Sequence, residues 1–237
     1  MPRAGRGPPG PEGRKISAES FLLRHAIHYT GQATWHPAHL RGLSEVVWPT
    51  PAQQIGFQEY IRAVNEHTDR LQRLEQERNE HVTPWRLQPV VAALQALRGV
   101  QFTVAVTPVA ALGDLTRFDT PRQPMDYLGL TPSASSRGPR RQQGAITKTG
   151  NSHAQRALVE DAWASRYPAK VSRHLPLRLE KQPQGIQDIS WQAQVRLCKR
   201  YRPLLARGKH VTQGVVALAR KLVGFRWAIA KEVPLTP

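Results

Sequence analysis

The sequence predicts a mainly α-helical protein, in which a long helix or coiled-coil segment is followed by a helical domain and by basic C-terminal helices. Apolar residues recur at spacings of three and four along most of the chain, which is the period of an amphipathic helix. Thr50-Pro51 and Thr83-Pro84 each place an N-cap residue before a proline at the first helical position, which is a common helix start. Helical patterning begins near Ser20.

The first residues differ in composition from the rest of the chain. Residues 1–16, MPRAGRGPPGPEGRKI, are rich in proline, glycine and arginine and cannot build a core. We therefore expect residues 1–19 to be disordered.

A heptad pattern follows the Thr50-Pro51 start. Apolar or semi-apolar residues alternate at spacings of three and four and are flanked by mixed charges, which is typical of a coiled coil. Residues 20–82 are thus expected to be helical and coiled-coil-like, although a helix that packs on its own domain explains the pattern equally well. The positions of this heptad seam are Phe57, Tyr60, Val64, His67, Leu71 and Leu74.

The next segment carries two competing periodicities. A buried helical stripe from Val90 to Leu97 stops at Gly99. From Val100 to Val106 every second residue is apolar, which by periodicity alone predicts a strand. Pro108 would end that strand or kink a helix. Thr120-Pro121 then predicts a short helix through Tyr127, closed by Gly129.

Residues 131–151, TPSASSRGPRRQQGAITKTGN, combine three serines and four basic residues with no acidic residue. The segment is too polar for a core and too long for a plain turn, so we predict a functional loop. Ser152 and Gln155 fit the capping box of a helix that follows directly. The loop would therefore bring Lys148, Thr149 and Gly150 to a helix N-terminus, where free backbone N–H groups favour a phosphate.

Positive charge is concentrated in the C-terminal part of the chain. The sequence of this part predicts two helices, over roughly 189–207 and 209–230. The chain has 34 Lys and Arg against 17 Asp and Glu. Residues 1–130 hold 14 basic and 12 acidic residues, whereas residues 162–237 hold 15 basic and three acidic ones. This asymmetry predicts a nucleic-acid surface in the C-terminal half, with a solvated basic face as the alternative.

Composition also excludes several classes of protein. Cys198 is the single cysteine, so no internal disulfide can form and a reducing cytoplasmic location is expected. The best candidate for a membrane span, residues 211–230, is interrupted by Arg220, Lys221 and Arg226, so we expect no membrane partner. The first sixteen residues lack the apolar core of a signal peptide.

Serines beside arginines suit attack on a phosphodiester, because the positive groups stabilise the charge that develops at phosphorus. By composition alone, a mobile linker remains the commoner explanation of such a segment. His36 and His39 could bind a metal but lack an evident third ligand, and Asp114 with Asp119 is too small a set for metal chemistry. We therefore assign no metal ligands.

Three runs of residues resemble one known family. LRGVQFTVAVTPVAALGDLTRF, then YLGLTPSASS, then RRQQGAITKTGNSHAQRALVEDAW resemble the C-terminal half of bacterial insertion-sequence transposases. The family is the DEDD type related to the Piv DNA invertase, the insertion sequence one-hundred-ten family. The resemblance covers about residues 20–232 and is densest over residues 87–163.

The resemblance implies DNA transposition, with cleavage and rejoining through a serine that becomes linked to DNA. Family members carry an N-terminal RuvC-like domain whose acidic residues bind magnesium, act as multimers and use an element-encoded structured RNA. We expect that domain, and with it the magnesium, to be absent from this chain. A transposase fragment and a non-enzymatic DNA- or RNA-binding remnant both remain open.

The same resemblance assigns domains and site residues. Residues 20–82 would be the coiled-coil-like segment, residues 83–166 a transposase domain with a helix-hairpin-helix over Leu97 to Asp114 and the serine loop, and residues 167–237 a basic helical region. Ser136 is the implied nucleophile, and Ser135 is the alternative if the match shifts by one residue. The implied phosphate contacts or loop-shaping residues are Lys148, Thr149, Gly150, Asn151 and Arg156. The basic residues beside the serines, Arg137, Arg140 and Arg141, are further candidate nucleic-acid contacts.

Overall fold

The computed structural model describes residues 10–29, 31, 34–137, 140–170 and 175–235. Within these ranges it describes the backbone but not the side chains of residues 134–143, Pro11 and Pro176. The chain forms two compact units, Met1–Thr83 and Pro84–Pro237.

The first unit consists of three helices around an aromatic core. The helices are α1 (Pro11–Arg24), α2 (Pro37–Ser44) and α3 (Pro51–Val82). Helix α1 begins nine residues before the predicted start near Ser20, so the prediction of disorder over residues 1–19 is wrong for residues 11–19. Those residues are ordered because Ala18 and Leu22 are buried against the rest of the unit. The core comprises Leu22, Leu43, Trp48 and Phe57, with Phe21, Ile27, Trp35, Val46 and Ile61 packed on it.

Helix α3 starts where the sequence predicts. The Thr50 side chain accepts a hydrogen bond from the Gln53 N–H, the Gln53 side chain accepts one from the Thr50 N–H, and Pro51 occupies the first helical position. This capping box satisfies N–H groups that a helix start leaves free. The helix then runs unbroken for 32 residues.

The heptad seam divides into two halves. Phe57 and Val64 are buried within the first unit, whereas Leu71 and Leu74 are 45% and 48% exposed. The first half therefore packs on its own domain, as the alternative interpretation proposed. The second half presents its apolar residues to solvent.

The second unit packs short helices and one β-hairpin around two long helices. Helices α9 and α10 are the two C-terminal helices that the charge-rich segment predicts. The elements are α4 (Gln88–Leu94), α5 (Phe102–Leu112), α6 (Arg122–Tyr127), β1 (Pro132–Arg137), β2 (Arg140–Ile146), α7 (Ser152–Trp163), α8 (Leu175–Leu179), α9 (Gln184–Ala206) and α10 (Val211–Glu232), with 3-10 turns at Leu115–Arg117 and Ala164–Arg166.

Two local predictions, one at the end of the first unit and one in the second unit, are wrong. Thr83 does not start a helix; it ends α3, and its hydroxyl donates to the Asn79 carbonyl. The alternating residues from Val100 to Val106 lead into helix α5 instead of forming a strand. Burial explains the second error, because α5 is enclosed on several sides and an apolar residue is then tolerated at almost any position. Its buried residues are Ala105, Val106, Pro108, Val109 and Leu112.

The turn between α4 and α5 is held by side chains from distant parts of the unit. Gly99 adopts φ +87°, and a Cβ there would lie 2.6 Å from Ala164 Cβ and 3.1 Å from the Asp161 carbonyl oxygen, which leaves no room for it. The Ser190 hydroxyl donates to the Ala96 carbonyl at 2.6 Å, and the Arg178 guanidinium donates to the Val100 carbonyl at 3.1 Å. The turn is therefore fixed by α7, α8 and α9.

The predicted fold class is confirmed, since the described residues are mainly helical. Among them, no helix is both long enough and apolar enough to cross a lipid bilayer.

Candidate active site

The predicted serine loop is a two-stranded antiparallel hairpin. Ser136 pairs with Arg141 in the backbone ladder, Ser135 pairs with Gln142, and Arg137 pairs with Arg140. The register shifts by one residue near Ser133, whose hydroxyl donates to the Ala145 carbonyl at 3.1 Å. Such a bulge twists a hairpin and redirects its tip. Both candidate nucleophiles thus lie on β1 opposite a residue of the basic strand β2.

The base of the hairpin is fixed by close contact between two backbone segments. Gly129, at φ +63°, packs on the backbone of Thr149, and Gly150, at φ +120°, packs on the backbone of Tyr127 and Leu128. The Lys148 N–H donates to the Gly129 carbonyl at 3.1 Å. A Cβ at either glycine would overlap the facing backbone.

Helix α7 begins one residue earlier than its predicted capping box. Asn151 is the N-cap, and its side-chain oxygen accepts from the N–H groups of His153 and Ala154 at 2.9 and 3.1 Å. Gln155 does not close a box with Ser152; its amide donates to the Leu128 carbonyl at 2.6 Å. The helix N-terminus expected to hold a phosphate is therefore already partly satisfied by Asn151, which shapes the loop.

The other implied nucleic-acid contacts are accessible. Lys148, Thr149 and Arg156 are exposed, and Lys148 adopts φ +56°, which is uncommon for a residue with a side chain. The Thr149 hydroxyl donates to the Thr147 hydroxyl at 3.1 Å. The structure does not describe the side chains of the remaining candidates. These candidates are Ser135, Ser136, Arg137, Arg140 and Arg141.

A groove of about 500 Å³ lies beside the hairpin, between the end of β2 and α7. Leu130, Ile146 and Trp163 form its apolar surface, and Arg156 and Glu160 contribute opposite charges. Arg156 therefore lies at a boundary between apolar and charged surface next to the hairpin.

A buried ion pair joins α7 to α10, and no pattern in the sequence indicates it. The Arg226 guanidinium on α10 contacts the Asp161 carboxylate on α7, and both side chains are almost fully buried. Arg226 also donates two hydrogen bonds of 3.2 Å to the Val104 carbonyl on α5. That carbonyl lacks its usual partner within α5 because residue 108 is proline, which has no N–H.

Burial shifts the pKa values of both members of this pair. It raises the pKa of Asp161 to about 7, although the positive charge of Arg226 and its hydrogen bond act in the opposite direction. Desolvation likewise lowers the pKa of Arg226. Asp161 Oδ1 and Arg226 Nε have no hydrogen-bond partner among the described residues. Helices α5, α7 and α10 are therefore joined at a costly polar contact.

The candidate metal ligands have structural contacts. His39 is buried, and its Nδ1 accepts from the Trp35 N–H at 2.8 Å. Asp114 pairs with Arg86 at 2.9 Å and caps the following turn through the Thr116 N–H. Within the described ranges, no three His, Cys, Asp or Glu side chains are grouped as metal ligands would be. His39 and Asp114 thus each hold neighbouring backbone through these hydrogen bonds.

Comparison with known proteins finds a family match within the second unit. Residues 91–174 match the model of the Transposase IS116/IS110/IS902 family, and this segment contains α5, the hairpin and α7. The match supports a transposase domain of that family over these residues.

A longer protein is similar over most of the chain. It is "Putative transposase y4qE" of Sinorhizobium fredii (strain NBRC 101917 / NGR234), with 42% identity over 217 residues. The alignment covers 92% of this chain and 52% of that protein. The chain thus spans about half the length of the curated relative it matches.

Proposed function

We propose that this chain acts in DNA transposition and that Ser136, with Ser135 as the alternative, is the nucleophile that attacks a DNA phosphodiester. The observation that carries the proposal is the family match over residues 91–174, because it includes the whole serine hairpin. The 42% identity to the Sinorhizobium fredii protein named "Putative transposase y4qE" extends the similarity across both units.

The chemistry follows from the residue types on the hairpin. The serine Oγ forms a bond to phosphorus, its hydroxyl proton passes to solvent, and the bond from phosphorus to one sugar oxygen breaks. That oxygen leaves with a proton, and the DNA strand remains attached to the serine. Arg137, Arg140 and Arg141 would stabilise the negative charge on the phosphoryl oxygens in the transition state.

The hairpin base supports this role because it is rigid. Gly129, Gly150 and the Asn151 cap hold both ends of the hairpin on α6 and α7. A nucleophile needs a defined position relative to the phosphate, and small displacements reduce the rate strongly. We further propose that the segment from Leu97 to Asp114, which contains α5 and the turn before it, is a helix-hairpin-helix and that it contacts DNA backbone.

We also propose that the chain self-associates through the second half of α3 and that a structured RNA is a partner. Leu71 and Leu74 continue the heptad seam beyond the part that packs on the first unit, and both are exposed. Pairing of two such helices would bury these side chains.

The serine is tested with a supercoiled plasmid that carries the coding segment and its flanking DNA. The plasmid carries radioactive phosphate throughout both strands; after incubation with the protein it is trimmed with nuclease, and a denaturing gel reveals label bound covalently to protein. We expect a labelled protein band that Ser136→Ala abolishes. Ser133→Ala is the matched control on the same strand and should keep the band.

The alternative function predicts a different pattern. A non-enzymatic DNA- or RNA-binding remnant would retain nucleic acid in a filter assay but give no covalent band in any variant. Loss of the band with Ser135→Ala and not with Ser136→Ala would move the nucleophile by one residue.

A further inference from the structure

Three arginines from three helices of the second unit form a cluster on its surface. They are Arg122 on α6, Arg200 on α9 and Arg220 on α10. Arg122 and Arg200 are exposed, and Arg220 is partly buried. We call these residues the arginine cluster.

Glycines bring the three helices together. Gly224 of α10 faces α6, where a Cβ would lie 3.0 Å from Met125 Cε and 3.7 Å from Pro121 Cβ. A Cβ at Gly214 of α10 would lie 3.2 Å from the ring of Tyr201 on α9. Arg220 lies between these two contacts along α10, so α6 and α9 both pack beside it.

Like charges in the cluster act on one another. The pKa of Arg220 is lowered by partial burial and then by the positive charges of Arg200 and Arg122. Asp126 acts in the opposite direction, but it also pairs with Arg122 at 3.6 Å. The charges of Arg122 and Arg200 thus act on Arg220 with Asp126 as the offsetting carboxylate. Like charges held this close are relieved when an anion binds between them.

We propose that the arginine cluster binds the phosphate backbone of double-stranded DNA. The proposal rests on the proposed function and adds to it a contact surface outside the serine hairpin. Arg196 lies one turn before Arg200 on α9 and is also exposed, so it extends the cluster along the helix.

The chemistry of the cluster fits a polyanion of regular spacing. Duplex DNA carries one negative charge per about 1.7 Å of its axis, so a row of cations meets several phosphates at once. Guanidinium groups bind phosphate oxygens through paired N–H donors and remain charged at neutral pH. Such contacts neutralise phosphates and position the duplex without reading its sequence.

The location of α6 connects the cluster to the hairpin. Helix α6 ends at Tyr127, and β1 begins at Pro132. The segment between them carries Gly129, which fixes the hairpin base. DNA held by Arg122 is therefore held by the helix that leads directly into the candidate nucleophile strand.

The test measures the salt dependence of DNA binding by the full chain. A fluorescent duplex of about 30 base pairs is titrated by anisotropy at several salt concentrations, for the wild type and for a triple Arg122→Gln, Arg200→Gln, Arg220→Gln variant. Each lost phosphate contact lowers the slope of log affinity against log salt by about one. We expect the triple variant to bind about tenfold or more weakly, with a slope shallower by about two to three.

A matched control removes the same charge from the first unit. Arg41, Arg62 and Arg73 are exposed and lie off the heptad seam, so their triple change to Gln should leave the slope within about one of the wild type. Circular dichroism and thermal unfolding confirm that both triple variants are folded.

The outcomes separate this proposal from the proposed function. If the two triple variants give equal slopes while the wild type binds DNA, the proposal for the arginine cluster is wrong. The proposal for the serine nucleophile is not affected by that result. The same titrations are repeated with a duplex RNA of the same sequence. If the triple variant loses affinity for that RNA and not for the DNA, the assignment of the cluster to DNA is wrong. A wild-type chain that binds no DNA would overturn both.

Discussion

At the scale of single residues, one proline explains a buried arginine. Pro108 leaves the Val104 carbonyl without a helical partner, and Arg226 donates to that carbonyl while contacting Asp161. The arginine therefore satisfies a backbone acceptor and a carboxylate in one place. Because its own charge is desolvated there, removal of either partner leaves the other group uncompensated.

Arg226→Met should destabilise the chain strongly at pH 8. The change leaves the Asp161 carboxylate and the Val104 carbonyl buried without a donor, and breaking such a pair costs about 3–5 kcal/mol. Chemical denaturation measures the free energy of unfolding. Lys221→Met, which removes an exposed charge from the same helix, should change it by less than about 0.5 kcal/mol.

The raised pKa of Asp161 predicts a pH effect. Its folded pKa of about 7 lies above the ordinary value of 3.8, so the folded state binds more protons between these pH values. The contribution of Asp161 to stability is therefore complete below pH 3.8 and is lost as the pH rises through 7. The unfolding free energy of the wild type relative to Asp161→Asn should fall from pH 4 to pH 7. A difference that is flat or that rises with pH would contradict this assignment.

At the scale of elements, the hairpin depends on a close approach of two backbones. Gly129 and Gly113 both have positive φ, but a Cβ at Gly129 would overlap Thr149, whereas one at Gly113 would meet nothing within 4 Å. A comparison of alanine substitutions at the two glycines therefore separates the free-energy cost of backbone strain from the cost of the overlap.

Gly113→Ala should destabilise the chain by about 1–3 kcal/mol, because φ +68° with ψ −141° is a backbone conformation that residues with a Cβ rarely adopt. Gly129→Ala adds the overlap with Thr149 and should cost at least about 1 kcal/mol more. Hydrogen exchange should locate the extra opening at residues 128–131 and 147–150. Equal effects of the two changes would show that the hairpin base is not tightly packed.

The exposed half of α3 gives a second prediction at this scale. Leu71→Glu with Leu74→Glu should lower self-association, since like charges would replace the apolar seam. Sedimentation equilibrium measures the effect as a loss of dimer or higher species. Gln72→Glu with Gln76→Glu places the same charge on another side of α3 and should preserve association. Monomers in the wild type would contradict the proposal.

Sequence signals predict elements well where the cause is local. Thr50-Pro51 marks the start of α3 correctly because a cap and a proline act within one turn. The start of α7 is displaced by one residue because Asn151 caps the helix in place of Ser152, and both residue types favour that position. Residues 100–106 mislead because burial of α5 removes the helical alternation of apolar and polar residues.

Contacts between distant residues leave no such signal. Asp161 and Arg226 are separated by 65 positions, and in the sequence Arg226 appears only as a break in an apolar run. The candidate serines and basic residues could be proposed from composition and resemblance because they are close together in the chain. Their pairing as strands could not, since the segment lacks the apolar alternation that predicts a strand.

At the scale of the whole chain, charge and chemistry are divided between regions. The first 130 residues are nearly balanced in charge, and the last 76 hold 15 basic residues against three acidic ones. The serine hairpin, formed by β1 and β2, lies between the balanced and the basic regions in the sequence. This order suits a protein whose C-terminal helices hold DNA while the hairpin acts on it.

The most direct test of the central claim is to locate the DNA linkage on the protein. Wild-type protein incubated with the plasmid substrate is digested with nuclease and protease, and peptide mass spectrometry finds the residue that carries the nucleotide remnant. We expect a phosphodiester-linked nucleotide on Ser136, or on Ser135 if the register of the family match shifts by one residue. A remnant on any other residue, or none on a protein that has cut the plasmid, would contradict it.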